Sequence, residues 1–286
     1  MIGLQRIGIK TFENESIFQI ASPKKKDEYI LRNVTGLTGA NLNVNYQKTL
    51  YSGSVHMGSR REEREVTLLF ELNPNRSKGS TVESLRDDIY RHIISDELVD
   101  AYTRVTLYGS KMDLYTEGRI SQIEADLYTQ KPMMQVSIMC RYAHFIKTVP
   151  EPKREHIVEN NDYTGVVWYI DNPGAPVGFS VQGWSDTEFS RFFVQNQTNG
   201  QSLNVTNAPN ITGTKWRFDV DTTPENRMVK KLGLRDQYYF RDMYDNIQLT
   251  GGYPQLESGV NKIGAYIIGG TNKKFELTYT QRFHGV

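Results

Sequence analysis

Two carboxylates spaced two residues apart, Asp219 and Asp221, are the nearest thing in this chain to a paired acid and base. On a strand they would share one face, and a glycan-hydrolysing site would need a second carboxylate set against them. No such partner is identifiable in the sequence, and acids at a strand end beside a turn are ordinarily solvated. Asp219-Val-Asp221 also lacks the further oxygen ligands and the glycine of a calcium loop. His56, His92 and His144 are scattered through the first half without metal-ligand spacing, and the second half holds only His156 and His284. No His-x-x-x-His pair or nucleophile motif is present. The expectation is a chain with no catalytic residue, no cofactor and no metal.

The single cysteine, Cys140, excludes an intrachain disulfide and a multi-cysteine metal site. It falls in Met134-Gln-Val-Ser-Ile-Met-Cys-Arg-Tyr142, where Met134, Val136, Ile138, Cys140 and Tyr142 share one strand face, so a buried apolar role is expected. Lys24-Lys-Lys26 and Arg60-Arg61 are the densest basic stretches and read as a solvated loop and a strand entry. Lys plus Arg is 34 against 33 for Asp plus Glu, a net charge of +1. A dedicated nucleic-acid binder would carry a basic excess to neutralise phosphates. The mixed-sign run Arg60, Arg61, Glu62, Glu63, Arg64 suits salt bridges between neighbouring copies in a closed assembly.

The elements around these residues are mostly strands. Seventeen Tyr, twelve Phe and many β-branched residues fit a pleated, half-buried surface. At 286 residues, two domains are expected. Pro150 and Pro152, in Lys147-Thr-Val-Pro-Glu-Pro-Lys-Arg-Glu155, cannot sit in a central strand and mark an extended linker. This divides the chain into 1–147 and 148–286.

The first part predicts strands at Tyr29–Val34, Glu65–Leu72, Thr103–Tyr108, Arg119–Leu127 and Met133–Tyr142. One helix carries Val82, Leu85, Ile89 and Ile93 at helical spacing. Ser80-Thr-Val-Glu83 predicts its capping box, and Asp87 with Arg91 an i,i+4 pair. The second part predicts short strands at Val166–Ile170, Val177–Val181, Arg191–Gln195, Ser202–Val205, Trp216–Val220, Lys262–Ile268 and Phe275–Phe283. Turns are expected at Asn172-Pro-Gly, Asn199-Gly, Ala208-Pro-Asn and Gly269-Gly-Thr-Asn. Close-spaced strands without helical periodicity argue an antiparallel sandwich. Met1 to Ile9 is too short and interrupted for a signal peptide, and no apolar run could cross a bilayer, so synthesis in a cytoplasm without membrane insertion is expected.

The order of several fragments resembles the distal tail protein (Dit) family of long-tailed phages. They are Tyr29-Ile-Leu-Arg-Asn-Val-Thr-Gly36, Tyr51-Ser-Gly-Ser-Val55, Arg60 to Phe70, Glu83-Ser-Leu-Arg86 and Tyr115-Thr-Glu-Gly-Arg-Ile120. In the second half they are Asn172-Pro-Gly-Ala-Pro176, Trp216-Arg-Phe-Asp-Val-Asp221 and Tyr253-Pro-Gln-Leu-Glu-Ser-Gly-Val-Asn261. The resemblance implies a mainly β chain: an N-terminal, tail-tube-like domain with one helix, then a C-terminal galectin-like β-sandwich. For the last strand, Phe275–Phe283, two pairings are open, closing the sandwich or returning to the first domain. The resemblance also implies a virion protein in a hexameric ring between the tail tube protein and the tail-tip hub or tail-associated lysin protein. Receptor-binding or other baseplate proteins would anchor to it, and DNA would pass through its channel unbound.

A galectin-like sandwich also raises a lectin reading, in which the module recognises host cell-wall polysaccharide. Trp184-Ser-Asp-Thr-Glu-Phe-Ser-Arg191 holds some of the side-chain types that bind sugar, but at a different spacing, and neither histidine of this half is near it.

Overall fold

The computed structural model describes residues 3–11, 17–21, 27–39, 42–48, 54–75, 78–93, 102–126, 129–158, 165–187, 189–207, 215–235, 238–240 and 247–285. The fold is mainly β with one helix, and the chain divides into two units. Unit 1 is Met1–Thr148 with Phe283–Val286, and unit 2 is Val149–Arg282.

Unit 1 carries β1 (Arg6–Lys10), β2 (Phe18–Ala21), β3 (Tyr29–Thr35), β4 (Leu42–Lys48), β5 (Ser54–Arg61), β6 (Arg64–Leu72), α1 (Val82–Ile93), β7 (Thr103–Tyr108), β8 (Asp113–Asp126), β9 (Met133–Cys140) and β10 (Phe145–Lys147). In one sheet β8, β7, β1, β2, β3, β6 and β9 follow in order, and β9 pairs again with β8, closing a barrel. Closure is made by the length of β8. Its first half pairs with β7 up to Thr103↔Gly118. Its second half pairs with β9 from Gly118↔Cys140 to Asp126↔Met133. Gly118 sits at the switch because a Cβ there would fall 2.3 Å from the Met139 carbonyl oxygen. The pair β4–β5 forms a separate two-stranded ribbon.

The interior is filled by alternate residues of the strands, among them Val66, Leu68 and Phe70 of β6 and Met134, Val136, Ile138 and Cys140 of β9. Each large apolar side chain taken fully from water contributes about 1.5–3 kcal/mol. The buried stripe of α1 is Leu85, Ile89 and Ile93, as the helical spacing requires. The cap differs from expectation by one residue. Helix α1 begins at Val82, which makes Thr81 the N-cap. The Thr81 hydroxyl accepts from the Ser84 N–H at 3.2 Å, and the Ser84 hydroxyl accepts from the Thr81 N–H at 2.8 Å. Ser80 instead closes the preceding loop, accepting from the Asn75 N–H at 2.7 Å. Asp87 pairs with Arg86 at 3.0 Å, while Asp88 accepts from the Tyr29 hydroxyl at 2.7 Å. Thr81→Ala should cost unit 1 about 1 kcal/mol in urea unfolding while Ser80→Ala leaves the helix end intact. The reverse ranking would restore the cap at Ser80.

Unit 2 carries β11 (Arg154–Val158), β12 (Val166–Asn172), β13 (Phe179–Ser185), β14 (Phe189–Asn196), β15 (Ser202–Asn207), β16 (Lys215–Asp221), β17 (Met228–Arg235), β18 (Tyr238–Phe240), β19 (Ile247–Gly251), β20 (Gly259–Gly269) and β21 (Lys273–Tyr279). The short β22 (Arg282–Phe283) ends the strand series. Two sheets form, β11-β21-β13-β16-β17-β18 and β12-β20-β14-β15-β19. Their inner faces share one core that includes Phe179, Val181, Phe218, Phe275 and Leu277 of the first sheet and Ile170, Phe192, Val194, Ala265 and Ile267 of the second. Phe218 meets Phe189 edge-on at 5.0 Å and stacks with Phe192 at 5.7 Å. This is a two-sheet sandwich with inward and outward residues alternating along each strand.

Candidate assembly surfaces

The mixed-charge run at the start of β6 divides sharply. Glu62 and Glu63 are exposed, whereas Arg64 is 2% exposed. The side chains of Arg60 and Arg61 lie outside the described residues, as does the whole of Lys24–Lys26. The Arg64 guanidinium donates to the carbonyl oxygens of Gly36 at 2.5 Å, Thr38 at 2.6 Å and Ala143 at 2.9 Å, and also to that of His284. It lies 4.4 Å from the centre of the Phe145 ring, so a cation–π contact adds to the four acceptors. Gly36 permits the approach of the turn: its φ is +79°, and a Cβ there would lie 1.9 Å from the Glu65 carbonyl oxygen. Arg64 is therefore spent inside unit 1, unlike the exposed Glu62 and Glu63 beside it. The sequence signal that could have separated it is strand phase, since Arg64 is in step with Val66, Leu68 and Phe70.

In unit 2 the outer face of the six-stranded sheet is a lattice of charge. Lys274, Trp184 and Arg217 are aligned across β21, β13 and β16. Two residues along, Glu276, Gln182 and Asp219 form the next row. Arg217 grips Asp219 with two donors, and Asp221 accepts from the Thr223 N–H at 2.9 Å and hydroxyl at 2.7 Å. Each of these acids is thus engaged by a neighbour on its own segment. Lys274 and Arg217 each stand 5.4 Å from the Trp184 ring centre, one from each flanking strand. A sugar ring stacking on this indole would compete with both cations.

Glu276 is nearly buried beneath Lys274 at 2.7 Å and Lys153 at 3.3 Å. Burial pushes its pKa up, but the bonds from the two lysines outweigh burial and hold it below the ordinary carboxylate value. A carboxylate lowered in this way contributes stability that is complete above its unfolded pKa and is lost as pH falls through the folded one. Unit 2 should therefore lose stability as pH drops below about 4.5, and Glu276→Gln should flatten part of that slope in urea titrations. A Gln variant with the unchanged acid slope would rule this out.

The outer face of the five-stranded sheet is different. Tyr169 and Val260 are 64% and 66% exposed, and Val167 is 38% exposed. Phe193 and Tyr266 lie side by side at 6.0 Å, with the Tyr266 hydroxyl accepting from Gln197 at 2.9 Å. Tyr266 fills the space above two glycines, since a Cβ on Gly165 or Gly264 would fall 2.0 or 2.7 Å from its ring. The result is an aromatic and aliphatic surface with scattered charges, Lys262 opposite Tyr169 and Asp171 opposite Val260 among them, where the other sheet presents rows of ions.

The loop between β19 and β20 is fixed by three buried asparagines, Asn172, Asn196 and Asn261, each 0% exposed. Asn261 accepts from the Glu257 N–H at 2.9 Å and from the Asn196 amide at 3.0 Å. It donates to the carbonyls of Glu257 and Gly259, both at 2.8 Å. Asn196 also reaches the Gln255 carbonyl at 2.6 Å, and Asn172 reaches those of Ala175 and Glu257. Leu256 enters the core and bridges to Val177. A cleft of about 660 Å³ opens nearby between Asp221, Glu225, Arg227 and Tyr253, with Arg227 stacked on Tyr253 at 5.6 Å.

The remaining candidates are local. His92 meets Asp88 at 3.0 Å, His144 packs edge-on against His284 at 6.2 Å, and His156 lies on exposed β11. The side chain of His56 lies outside the described residues. Cys140 is buried, and burial is the main cause of its raised thiol pKa. Among the described residues no three His, Cys, Asp or Glu side chains are grouped to hold a metal, and no helix is long and apolar enough to cross a membrane.

No protein-family model and no curated protein matches the sequence. Solved structures do match. The SPP1 Dit protein (gp 19.1), described as a paradigm of the hub adsorption apparatus in phages infecting Gram-positive hosts, aligns at TM-score 0.60 and 14% identity, covering 97% of this chain and 99% of its own. A chain of the phage P2 baseplate in its calcium-activated conformation aligns at TM-score 0.47 and 8% identity, with 99% of each chain covered. A chain of the strontium form of the p2 baseplate aligns at TM-score 0.46 and 10% identity, with 97% and 98% covered. The fold of this chain, across both units, is that of the SPP1 Dit protein.

Proposed function

We propose that this chain is a distal tail protein of a tailed phage: a virion structural component without enzymatic activity, acting through shape and contact. Unit 1 is the tail-tube-like part and closes with five other copies into a hexameric ring. The ring joins the tail tube protein to the tip hub and leaves a channel for DNA. Unit 2 is the galectin-like platform to which receptor-binding or other baseplate proteins attach. The observation that carries this reading is the match of the SPP1 Dit fold over 97% of the chain, so that neither unit is left without a counterpart.

The chemistry of the surfaces supports the division of labour. The face with Tyr169, Val167, Val260, Phe193 and Tyr266 has the aromatic character of a protein contact. The charged face does not favour the lectin reading, since both cations beside Trp184 would compete with a stacked sugar. A balanced net charge of +1 suits a conduit that must not grip phosphates.

Native mass measurement and particle imaging of the purified chain, alone and with its tube and hub neighbours, should give sixfold rings with a central hole. A chain that stays monomeric with those neighbours present refutes the ring. Charge reversal at Arg61 and Glu63 should weaken ring mass if the run bridges copies, and an unchanged mass distribution would remove the run from the interface.

A further inference from the structure

Unit 1 is not finished by the first 148 residues. The chain leaves it, builds the whole of unit 2, and returns at Phe283. Phe283 packs against the unit 1 core. The His284 carbonyl is one of the four acceptors on the buried Arg64 guanidinium, and the His284 ring lies 6.2 Å from that of His144. Gly285 settles on the turn after β3, so closely that a Cβ there would meet the Gly39 nitrogen at 3.0 Å and the Leu37 carbonyl at 3.1 Å. Three segments far apart in sequence, Gly36–Gly39, Ala143–Phe145 and Phe283–Gly285, thus meet at one cation.

We propose that Phe283–Gly285 is a latch which completes unit 1 only after unit 2 has been made. A buried guanidinium holding three carbonyls and lacking the fourth keeps an unfilled donor direction, and a missing Phe283 uncovers part of the core. Before the latch docks, the Arg64 site is therefore open on its His284 side and the turn at Gly36–Gly39, held by Arg64, lacks the covering Gly285. After docking, the C-terminal segment is added to those that Arg64 already joins, and the fourth acceptor and the Phe283 packing are in place. Unit 1 thereby reaches its final surface only after unit 2 has been synthesised, and a nascent chain that stops before Phe283 lacks the finished unit. The consequence for assembly, that unfinished chains are kept out of the ring, rests on the ring reading of unit 1; the latch itself does not.

The test compares nascent chains held on the ribosome at Arg282 and at Val286, each followed by the same flexible spacer long enough to clear the exit tunnel. Under limited proteolysis, unit 2 should be equally resistant in both, and unit 1 should be cut about tenfold more slowly once residues 283–286 are present. Equal resistance of unit 1 in the two chains overturns the latch. A released full chain carrying Phe283→Ala supplies the second arm, because it keeps the tail backbone and the Arg64 acceptor. Its amide exchange at Gly36–Gly39 and Ala143–Phe145 should rise by about tenfold, with unit 2 amides unchanged. Exchange within twofold of the parent would overturn the proposal as well. Should the full chain show the latch but form no ring with its neighbours, the ring reading fails and the latch stands.

Discussion

Arg64→Met should remove about 3–5 kcal/mol from the stability of unit 1, the upper range for a substitution that leaves several buried polar groups without a partner. The methionine keeps most of the aliphatic stem and the packing on Phe145, so the loss isolates the guanidinium. Four carbonyl oxygens, those of Gly36, Thr38, Ala143 and His284, lose their donor at once. Each buried acceptor left without a partner costs about 1–3 kcal/mol, and water entering the opened site recovers part of that sum. Arg64→Lys should fall between, because a single ammonium carries three donors and cannot present a planar fork. Urea unfolding followed separately for the two units, by exchange or by unit-specific fluorescence, should show the loss in unit 1 and leave unit 2 in place. A loss under about 1 kcal/mol for the methionine variant would mean that the barrel closes without this clamp.

Asn261→Asp should cost unit 2 about 3 kcal/mol at neutral pH, although it changes a single atom. Asn261 is 0% exposed and uses both of its donors and both acceptor directions. An ionised aspartate has no hydrogen to give, so the carbonyls of Glu257 and Gly259 would face a buried negative charge. The loop from Gln255 to Gly259 would then be pushed off its seat, withdrawing Leu256 from the core. Thermal unfolding should show a lower midpoint for unit 2, recovering in part on acidification as the aspartate protonates and regains one donor. An Asp variant as stable as the parent at neutral pH would show that the loop is held by Leu256 and its neighbours rather than by the amide network.

Much of the strand pattern was legible, and for a single reason. Strands buried on one face alternate with period two, and the alternation is written in the residues: Val66, Leu68, Phe70 and Leu72, or Val166, Trp168 and Ile170. The helix was equally open to reading through Leu85, Ile89 and Ile93. The longer β4, β5 and β17 escaped, as did several short strands. Strand β1 contains Gly8 in the middle of five residues, β10 has three residues, and β11 begins at Arg154, inside the stretch expected to be linker. The predicted strand Phe275–Phe283 is really β21 ending at Tyr279, a break, and the return of the chain to unit 1 at Phe283. Its alternation continues through the break, so periodicity alone cannot place the end.

The candidate surfaces show the same division. Asp219 and Asp221 share a strand in the sequence and a strand in the fold, yet their partners, Arg217 and Thr223, are close neighbours that no catalytic spacing would single out. Arg64 stood among four other charged residues with nothing in composition to separate it from them. The loop at Tyr253–Asn261 was recognisable as structured by its Pro and Gly, but the three asparagines that hold it are 65 and 89 positions apart at the extremes relative to Asn261, as the residue numbers 196 and 172 give.

The sequence by itself determined the class of this protein: β-rich, one amphipathic helix, a break at Pro150–Pro152, and no constellation that announces chemistry. Those properties depend on local periodicity and on backbone restrictions that each residue carries with it. Tertiary structure alone decided which carbonyls the buried Arg64 serves, which face of unit 2 gathers its aromatic rings and which its rows of ions, and that unit 1 is completed by residues beyond unit 2. These depend on contacts between positions as distant as Arg64 and His284, and on register, which places every side chain on one face or the other. A single local sequence does not encode register; the summed burial of the whole sheet selects it.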